Sequence, residues 1–586
     1  MAWRIAIVAL ALVAPARAGQ LQVLQHIWGF NGRVAPGRMN PLSLEVANLS
    51  PEPFDGVLKL VRGSSVAQRR GATLAEPCFI SPGARRWVQF YPCTRQEQEA
   101  WVVEWGFRVG DRETLRNPKF GPPGRVVLLD PAVVLTRKAR FPVLPDNLFP
   151  PTVTATDGLY SVVLDHMPRW EPVRQRAFID WLRRGGEVHL VHDANDRYPT
   201  FTGALAVLNA PLERFPVGAG TVVRHPLPHR KLDGEALAEK GFPLPTYEAN
   251  YDAPVHDLDG ELFESLRDLT RPKHNWLLIY LTSVVYIVLI WPVNYVCFVV
   301  KRRDYRLTVL FFVLCVAGCS ALLMAIGRRG HEEATAVHAV ACARQIDADH
   351  YDTTQWVNAF VTRGAVYPIT HDSPHNLYAA CQDYEAVPGL IHSGKGGVFQ
   401  ADIPLYSARH FLHRGRLVGH RIALEVEEWG GGSRLSDLAI TFEDGFPTDA
   451  HAVWALCGGR FYRLQVGEGR LRLGSGSGHD AKELFTKDAL RVPKPHYFGP
   501  FRTSGEEEPP DKRLQRLMVP LMARAVAHAG TFWQDVRYPA LPPDRMQIFI
   551  YAPLPEGFRL QEPRFGEPMG YVLYQIELRK PEKTHG

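Results

Sequence analysis

Two uncharged apolar runs, separated by only six residues, constrain this chain more than any other feature. "WLLIYLTSVVYIVLIWPVNYVCFVV" covers residues 276–300 and "LTVLFFVLCVAGCSALLMAIG" covers 307–327. Each exceeds the ~20 residues that an α-helix needs to cross a bilayer. A core helix of this length normally carries charge on some face, so the runs predict two transmembrane helices. The turn between them, residues 301–306, reads KRRDYR. Lys301, Arg302, Arg303 and Arg306 sit in a loop too short for anything but a hairpin connection, and cations in short loops stay cytoplasmic. These four residues determine the expected topology, with both large portions of the chain outside the cytoplasm. Pro292 and Asn294 are expected to kink the first helix or pair with the second.

The N-terminus gives an independent signal of the same sense. Arg4, an apolar run from Ile5 to Ala14 and the triplet Ala16-Arg17-Ala18 have the layout of a secretory signal peptide over residues 1–18. The apolar run would rise only ~15 Å as a helix, half a hydrocarbon core. The expected location is a bacterial inner (cytoplasmic) membrane, with extracytoplasmic domains. The membrane and other envelope proteins are the expected partners. Net charge is only +6 over 586 residues, with no basic arm or Lys/Arg stripe, which argues against a nucleic-acid partner.

Residues 19–122 predict a β-sandwich. Alternating runs such as "NPLSLEVANLS", "GVLKLVRG", "RRWVQFYPC" and "AWVVEWGFRVG" are divided by Pro, Gly, Asn and Ser turns, as in an immunoglobulin-like module. Cys78 and Cys93 flank the "SPGARR" turn. A disulfide between adjacent strands and two separate buried thiols fit this spacing equally, because strand register decides whether the Cβ atoms meet. Cys297, Cys315 and Cys319 lie in the apolar runs and read as packing.

Residues 123–265 change character. "RVVLLD" and "GLYSVVLDH" are strand-like. "PVRQRAFIDWLRRGG" is a helix with Val173, Ala177, Ile179, Trp181 and Leu182 as its buried stripe and Gly185-Gly186 as its stop. "EVHLVHD" is the next strand. Alternation of strand and helix implies a parallel sheet with crossovers, here a flavodoxin-like α/β domain. Strand, "DWLRRGG" helix and strand resemble the class I glutamine-amidotransferase-like fold. The whole order of parts resembles bacterial membrane proteins, largely uncharacterised, that place an Ig-like module and such a domain before a membrane hairpin. "WPVNYVCFVVKRRDYR", 291–306, is similar to the Pro-Asn-Tyr stretch and basic turn of that group.

Active members of that fold carry a cysteine nucleophile on a glycine-flanked turn after this strand. Here the strand runs into "HLVHDAND", with Asp193 near that position and no glycine beside it. No cysteine occurs from Thr94 to Val296, and no serine elbow replaces one. The sequence therefore predicts no catalytic residue, no cofactor and no metal site. His189 and His192 are three apart on a strand and face opposite sides, which disfavours a metal site with Asp193 and Asp196. His371 and His375 in "HDSPH" read as a solvated loop, and "DADHYDTT" (347–354) lacks the glycine and terminal glutamate of a calcium loop.

Residues 331–503 read as a second β-sandwich-like domain, and 504–586 as an amphipathic helix with closing strands. In that helix Leu514, Leu517, Met518, Leu521, Met522 and Ala525 recur at helical spacing, and Pro520 is expected to kink it. The fold class expected is thus an α+β multidomain membrane protein with a β-sandwich, a flavodoxin-like domain, two transmembrane helices and a C-terminal β-rich domain. The expected function is that of a membrane-anchored, non-catalytic scaffold or sensor. An accessory subunit of an envelope or transporter complex, or a hydrolase or transferase with an unrecognised site, are the alternatives.

Overall fold

The computed structural model describes residues 20–581 except 64–68, 96, 109, 122, 132–140, 233–253, 271–275, 301–304, 330–334, 381–386, 395, 432–433, 475–477, 491–508 and 527–543. The expected signal peptide and the topology-determining Lys301, Arg302 and Arg303 lie outside the described residues. Arg306 is described and is exposed in the first turn of its helix.

Two sheets form the N-terminal part. Leu21–Trp28, Leu42–Asn48 and Arg85–Phe90 pair antiparallel. They pack on Phe54–Arg62, Thr73–Ile80 and Trp101–Glu104 through Leu44, Leu58, Leu60, Phe90 and Val103. The second sheet continues into distant sequence. Gly389–His392 pairs in parallel with Thr73–Ile80, in the register Leu390 to Thr73 and Ile391 to Leu74. Val398–Ile403 and Ala365–Ile369 extend it to seven strands. Residues from both sides of the apolar runs therefore share one hydrogen-bonded sheet.

The next sheet has six strands. Val143–Pro145, Gly124–Leu129, Leu159–Leu164, Glu187–His192 and Gly220–Pro228 are parallel, and Arg214–Val217 closes an edge antiparallel. Helix α1, Pro172–Arg183, covers one face with Ala177, Phe178, Ile179, Trp181 and Leu182; Val173 of the predicted stripe is exposed instead. Gly185 takes φ 120°, and the Gly186 amide reaches the Trp181 and Leu182 carbonyls at 3.1 Å each, ending the helix.

The expected flavodoxin-like domain is corrected here. Among the described residues α1 is the sole α-helix between these strands, and short 3-10 turns at Asp146–Leu148, Val153–Ala155 and Gly203–Asn209 serve elsewhere. Among the described residues the opposite face carries a small cluster of Val127, Leu129, Val163, Val191 and Leu232 and no α-helix from between these strands.

Helix α2, Pro254–Thr270, presents Leu258, Leu262, Phe263 and Leu266 to the C-terminal sheet. The first apolar run then forms helix α3 over Trp276–Val288 only. It continues as wide π-helical turns over Leu289–Val293 and Tyr295–Val300. Pro292 explains the change: it has no N–H to donate and its ring collides with the carbonyl four residues back. Helix α4, Tyr305–Arg329, contains the single helix among the described residues that is long and apolar enough to cross a membrane, Tyr305–Ile326. The expectation of two transmembrane helices is corrected accordingly. The two arms pack on each other as a hairpin whose apolar side chains are largely exposed, among them Leu281, Trp291, Leu310 and Leu314.

The remainder is a twelve-stranded, mainly antiparallel sheet. Its central strands are Ser407–Val418, His350–Val361, Ala336–Gln345, Met569–Arg579 and Arg545–Pro553, with one parallel pair, Ala336–Gln345 beside Met569–Arg579. Strand alternation divides the core in two. Val337, Ala339, Ala341, Val572, Tyr574 and Ile576 face one side, where the sheet curls over strands such as Leu435–Phe442. Val340, Trp356, Leu573, Phe549 and Tyr551 face the other, beneath α2, α5 (Pro510–Gln515) and α6 (Met518–Val526). Leu514, Leu517, Leu521 and Met522 are buried there, so the amphipathic stripe packs within the chain. Strand content dominates throughout, which is the further correction to an α+β class.

The aromatic packing of α1 gives a first test. Phe178 is fully buried, with the rings of Phe149, Trp170 and Trp181 at 5.4, 5.2 and 5.4 Å. Phe178→Ala should cost about 3–5 kcal/mol by urea denaturation. A variant with the wild-type midpoint would contradict this core.

Candidate functional site

A cavity of about 300 Å³ lies where the end of α1 meets the C-terminal sheet. One wall comes from the N-terminal half. Asp157 precedes the Leu159–Leu164 strand, Tyr160 follows, and Trp181, Arg184 and Gly185-Gly186 close the end of α1. The other wall uses strand alternation: Cys342, Arg344, Asp352, Thr354, Trp356 and Arg414 are all even-numbered positions on adjacent strands and share one face. Arg344 lies opposite Asp352 in register, and Thr354 opposite Arg414. Arg38 and α6's Arg524 reach the same space, as do Arg545 and Glu577.

Four of these side chains form a buried ion cluster across the two halves. Arg414 pairs with Asp157 and makes two bonds to Asp352, at 2.7 and 2.9 Å. Arg184 pairs with Asp352 and lies 3.0 Å from Asp157, while its second nitrogen donates to Thr156 Oγ1 at 3.0 Å. Burial opposes ionisation of both carboxyls. The adjoining Arg414 and Arg184 overcome it and hold both below the usual carboxylate range. Around this centre, Arg416 Nε donates to Asp180 of α1 at 2.7 Å, and Arg545 donates to Glu577 at 2.8 Å and to the Ala219 carbonyl at 3.2 Å.

Two guanidiniums stand apart. Among the described residues Arg38 and Arg344 have no ion pair. Both are enclosed by protein while keeping surface toward the cavity. Burial, then the charge of Arg524, pushes Arg38 down to about 9; burial and Arg184 lower Arg344. Such a site offers many charge-assisted donors and few acceptors. Its chemistry suits an oxyanion. Cys342 also lines it, but its thiol donates to the Leu521 carbonyl at 3.7 Å and burial pushes its pKa up to about 12, the reverse of an activated nucleophile.

The positions singled out in the sequence lie elsewhere. Cys78 is a free, buried thiol in the N-terminal sandwich core, whereas Cys93 packs with Met39 and Tyr91 in a different cluster. Asp193, near the amidotransferase nucleophile position, is half-buried and caps a turn by accepting from the Asn195 and Arg197 amides at 2.8 and 3.0 Å. His189 is buried against Glu187 (2.5 Å) and His225 (3.0 Å), and half-buried His192 meets the Tyr198 ring. His371 is buried, stacked on His413 at 3.5 Å and bonded to the Tyr378 hydroxyl. Asp347, Asp349 and His350 come close enough to hold a cation, but Arg183 and Arg416 already lie 3.7 Å from Asp347.

No protein-family model matches the chain, and no curated protein does. The cavity residues were not anticipated. Asp352 belongs to the stretch weighed only as a calcium loop, and Arg414 sits inside an otherwise strand-like run. The signal available was the polar face of these strands: even positions in "HYDTTQWVNAFV" carry Asp352 and Thr354 where a doubly buried strand should be apolar.

Removing one member should be costly. Asp352→Asn leaves Arg184 and Arg414 short of a counter-charge and should destabilise by about 3–5 kcal/mol in urea melts. The depressed carboxyls also fix a pH dependence. Their contribution is complete above the ordinary carboxyl value of about 4 and is lost as pH falls through the lower folded values. Wild-type thermal midpoints should therefore drop on acidification below about pH 4 more steeply than those of Asp352→Asn. Identical profiles would contradict the cluster.

Proposed function

We propose that this chain is a membrane-anchored, non-catalytic binding protein, a scaffold or sensor whose two large portions lie together on the extracytoplasmic face of a bacterial inner membrane. The observation that carries the reading is the union of residues before and after the apolar hairpin in one seven-stranded sheet and one buried ion cluster. A hairpin that begins and ends at the same folded body enters and leaves an apolar phase on one side. Its exposed Leu, Val, Trp and Phe side chains have favourable surroundings in lipid and poor ones in water. The cations Lys301, Arg302, Arg303 and Arg306, at the N-terminal end of α4, favour the cytoplasmic side for that end of the one span-length helix among the described residues.

Binding rather than turnover is supported by the cavity's chemistry. It holds paired ions, two guanidiniums without an ion pair among the described residues, and a thiol that burial keeps protonated. Alkaline phosphatase fused to the C-terminus should be active in cells and pellet with membranes after a carbonate wash. A fluorescent protein fused there should stay dark. A bright, cytosolic fluorescent fusion would overturn the reading.

A further inference from the structure

The charges that line the cavity do not balance. Arg184 and Arg414 are matched by Asp157 and Asp352, and Arg545 by Glu577. Arg524 is held by Asp259 of α2, at 2.9 Å. Arg38 and Arg344 remain, and no carboxylate among the described residues pairs with either. Different neighbours surround them. The charges that act most on Arg38 are those of Arg524, Asp157 and Arg414; those acting most on Arg344 are Arg184, Asp352 and Glu577. Two half-buried guanidiniums, neither with an ion pair among the described residues, thus face one space, an arrangement that favours an incoming counter-charge.

That space has the dimensions of a ligand site. Cavities that hold small molecules begin at about 300 Å³, the volume found here. Its walls come from two sheets, the end of α1, α6 and the connections at Ala35, Pro123 and Asp157. Trp181 and Trp356 also line it. A planar guanidinium offers parallel N–H donors that fit carboxylate and phosphate oxygens.

We infer that the cavity binds a small oxyanion of two negative charges, a phosphate compound or a dicarboxylate, with Arg38 and Arg344 as its counter-ions. The inference rests on the binding-protein reading and supplies the ligand class. Asp259 ties the site to the hairpin: it also accepts from Trp356 Nε1 at 3.0 Å, so two cavity residues are fastened to the helix that leads into α3.

The test uses the full-length protein in detergent, titrated separately with inorganic phosphate, pyrophosphate and succinate and read by thermal shift and calorimetry. At least one probe should raise the melting temperature saturably with one-to-one stoichiometry, and the arms separate phosphate from carboxylate. Arg38→Met with Arg344→Met should weaken that binding by at least 100-fold. The anion-free double variant should melt no lower than wild type, because two half-buried charges without an ion pair are gone. Absence of any saturable shift in the wild type, or an undiminished shift in the double variant, overturns the inference. Should the double variant fail to fold, the wild-type titration and the charge-retaining Arg344→Lys decide: saturable binding that the lysine weakens supports the site, and binding indifferent to it refutes it. Membrane retention of the same sample is scored in parallel. Loss of anion binding with retention intact removes the ligand class alone, whereas loss of retention removes the membrane-anchored reading.

Discussion

The molecule turns on one contact: Asp157 and Arg184 from the first half meeting Asp352 and Arg414 from the second. Each carboxylate touches both guanidiniums, so withdrawal of either half breaks the Asp157–Arg414 and Asp352–Arg184 pairs together. Hydrophobic packing alone could let the two portions slide, since apolar contact has no direction. Charge-assisted bonds at fixed angles set the register of α1 against the strand His350–Val361. The neighbouring pair Asp180–Arg416 and the carbonyls of Ala219 and Gly220, which accept from Arg579, extend the same seam.

From this contact follows the placement of the rest. With the halves locked, the segment between them has to depart and return at one place, and α2 marks the departure. Its Asp259 is wholly buried, where it receives Arg524 and Trp356, and Leu258, Leu262 and Leu266 fix it to the sheet. The apolar arms beyond α2 bury little against the body; only 6% of the span-length stretch of α4 is buried. Arg524 and Trp356, which line the cavity, are thus bonded directly to α2.

Much of the local structure was legible in the sequence because it depends on near neighbours. The strands of 20–120 follow alternation, α1 ends at Gly185-Gly186, and the apolar runs stand out by composition alone. Three features were not legible, each for a physical reason. The first run breaks into wide turns because Pro292 acts on the hydrogen-bond ladder, which a hydropathy average cannot register. The single-helix character of the parallel sheet was hidden because strand and helix patterns look alike whether or not every crossover is helical. The shared sheet and the cavity depend on pairings such as Ile391 with Leu74 and Arg414 with Asp157, more than 250 residues apart. Nothing local specifies them, although lone charges inside buried strands, Asp352 and Arg414 above all, mark where such a partner is required.

The direct test of the central claim is covalent capture of the two halves across their common sheet. Thr73→Cys and Leu390→Cys occupy partnered positions on adjacent strands. In a background without other cysteines and with a protease site placed in 233–250, oxidation of intact membranes followed by cleavage should leave the two fragments joined until reductant is added. Fragments that separate without reductant, while both cysteines still react with maleimide, would show that the halves do not meet as described.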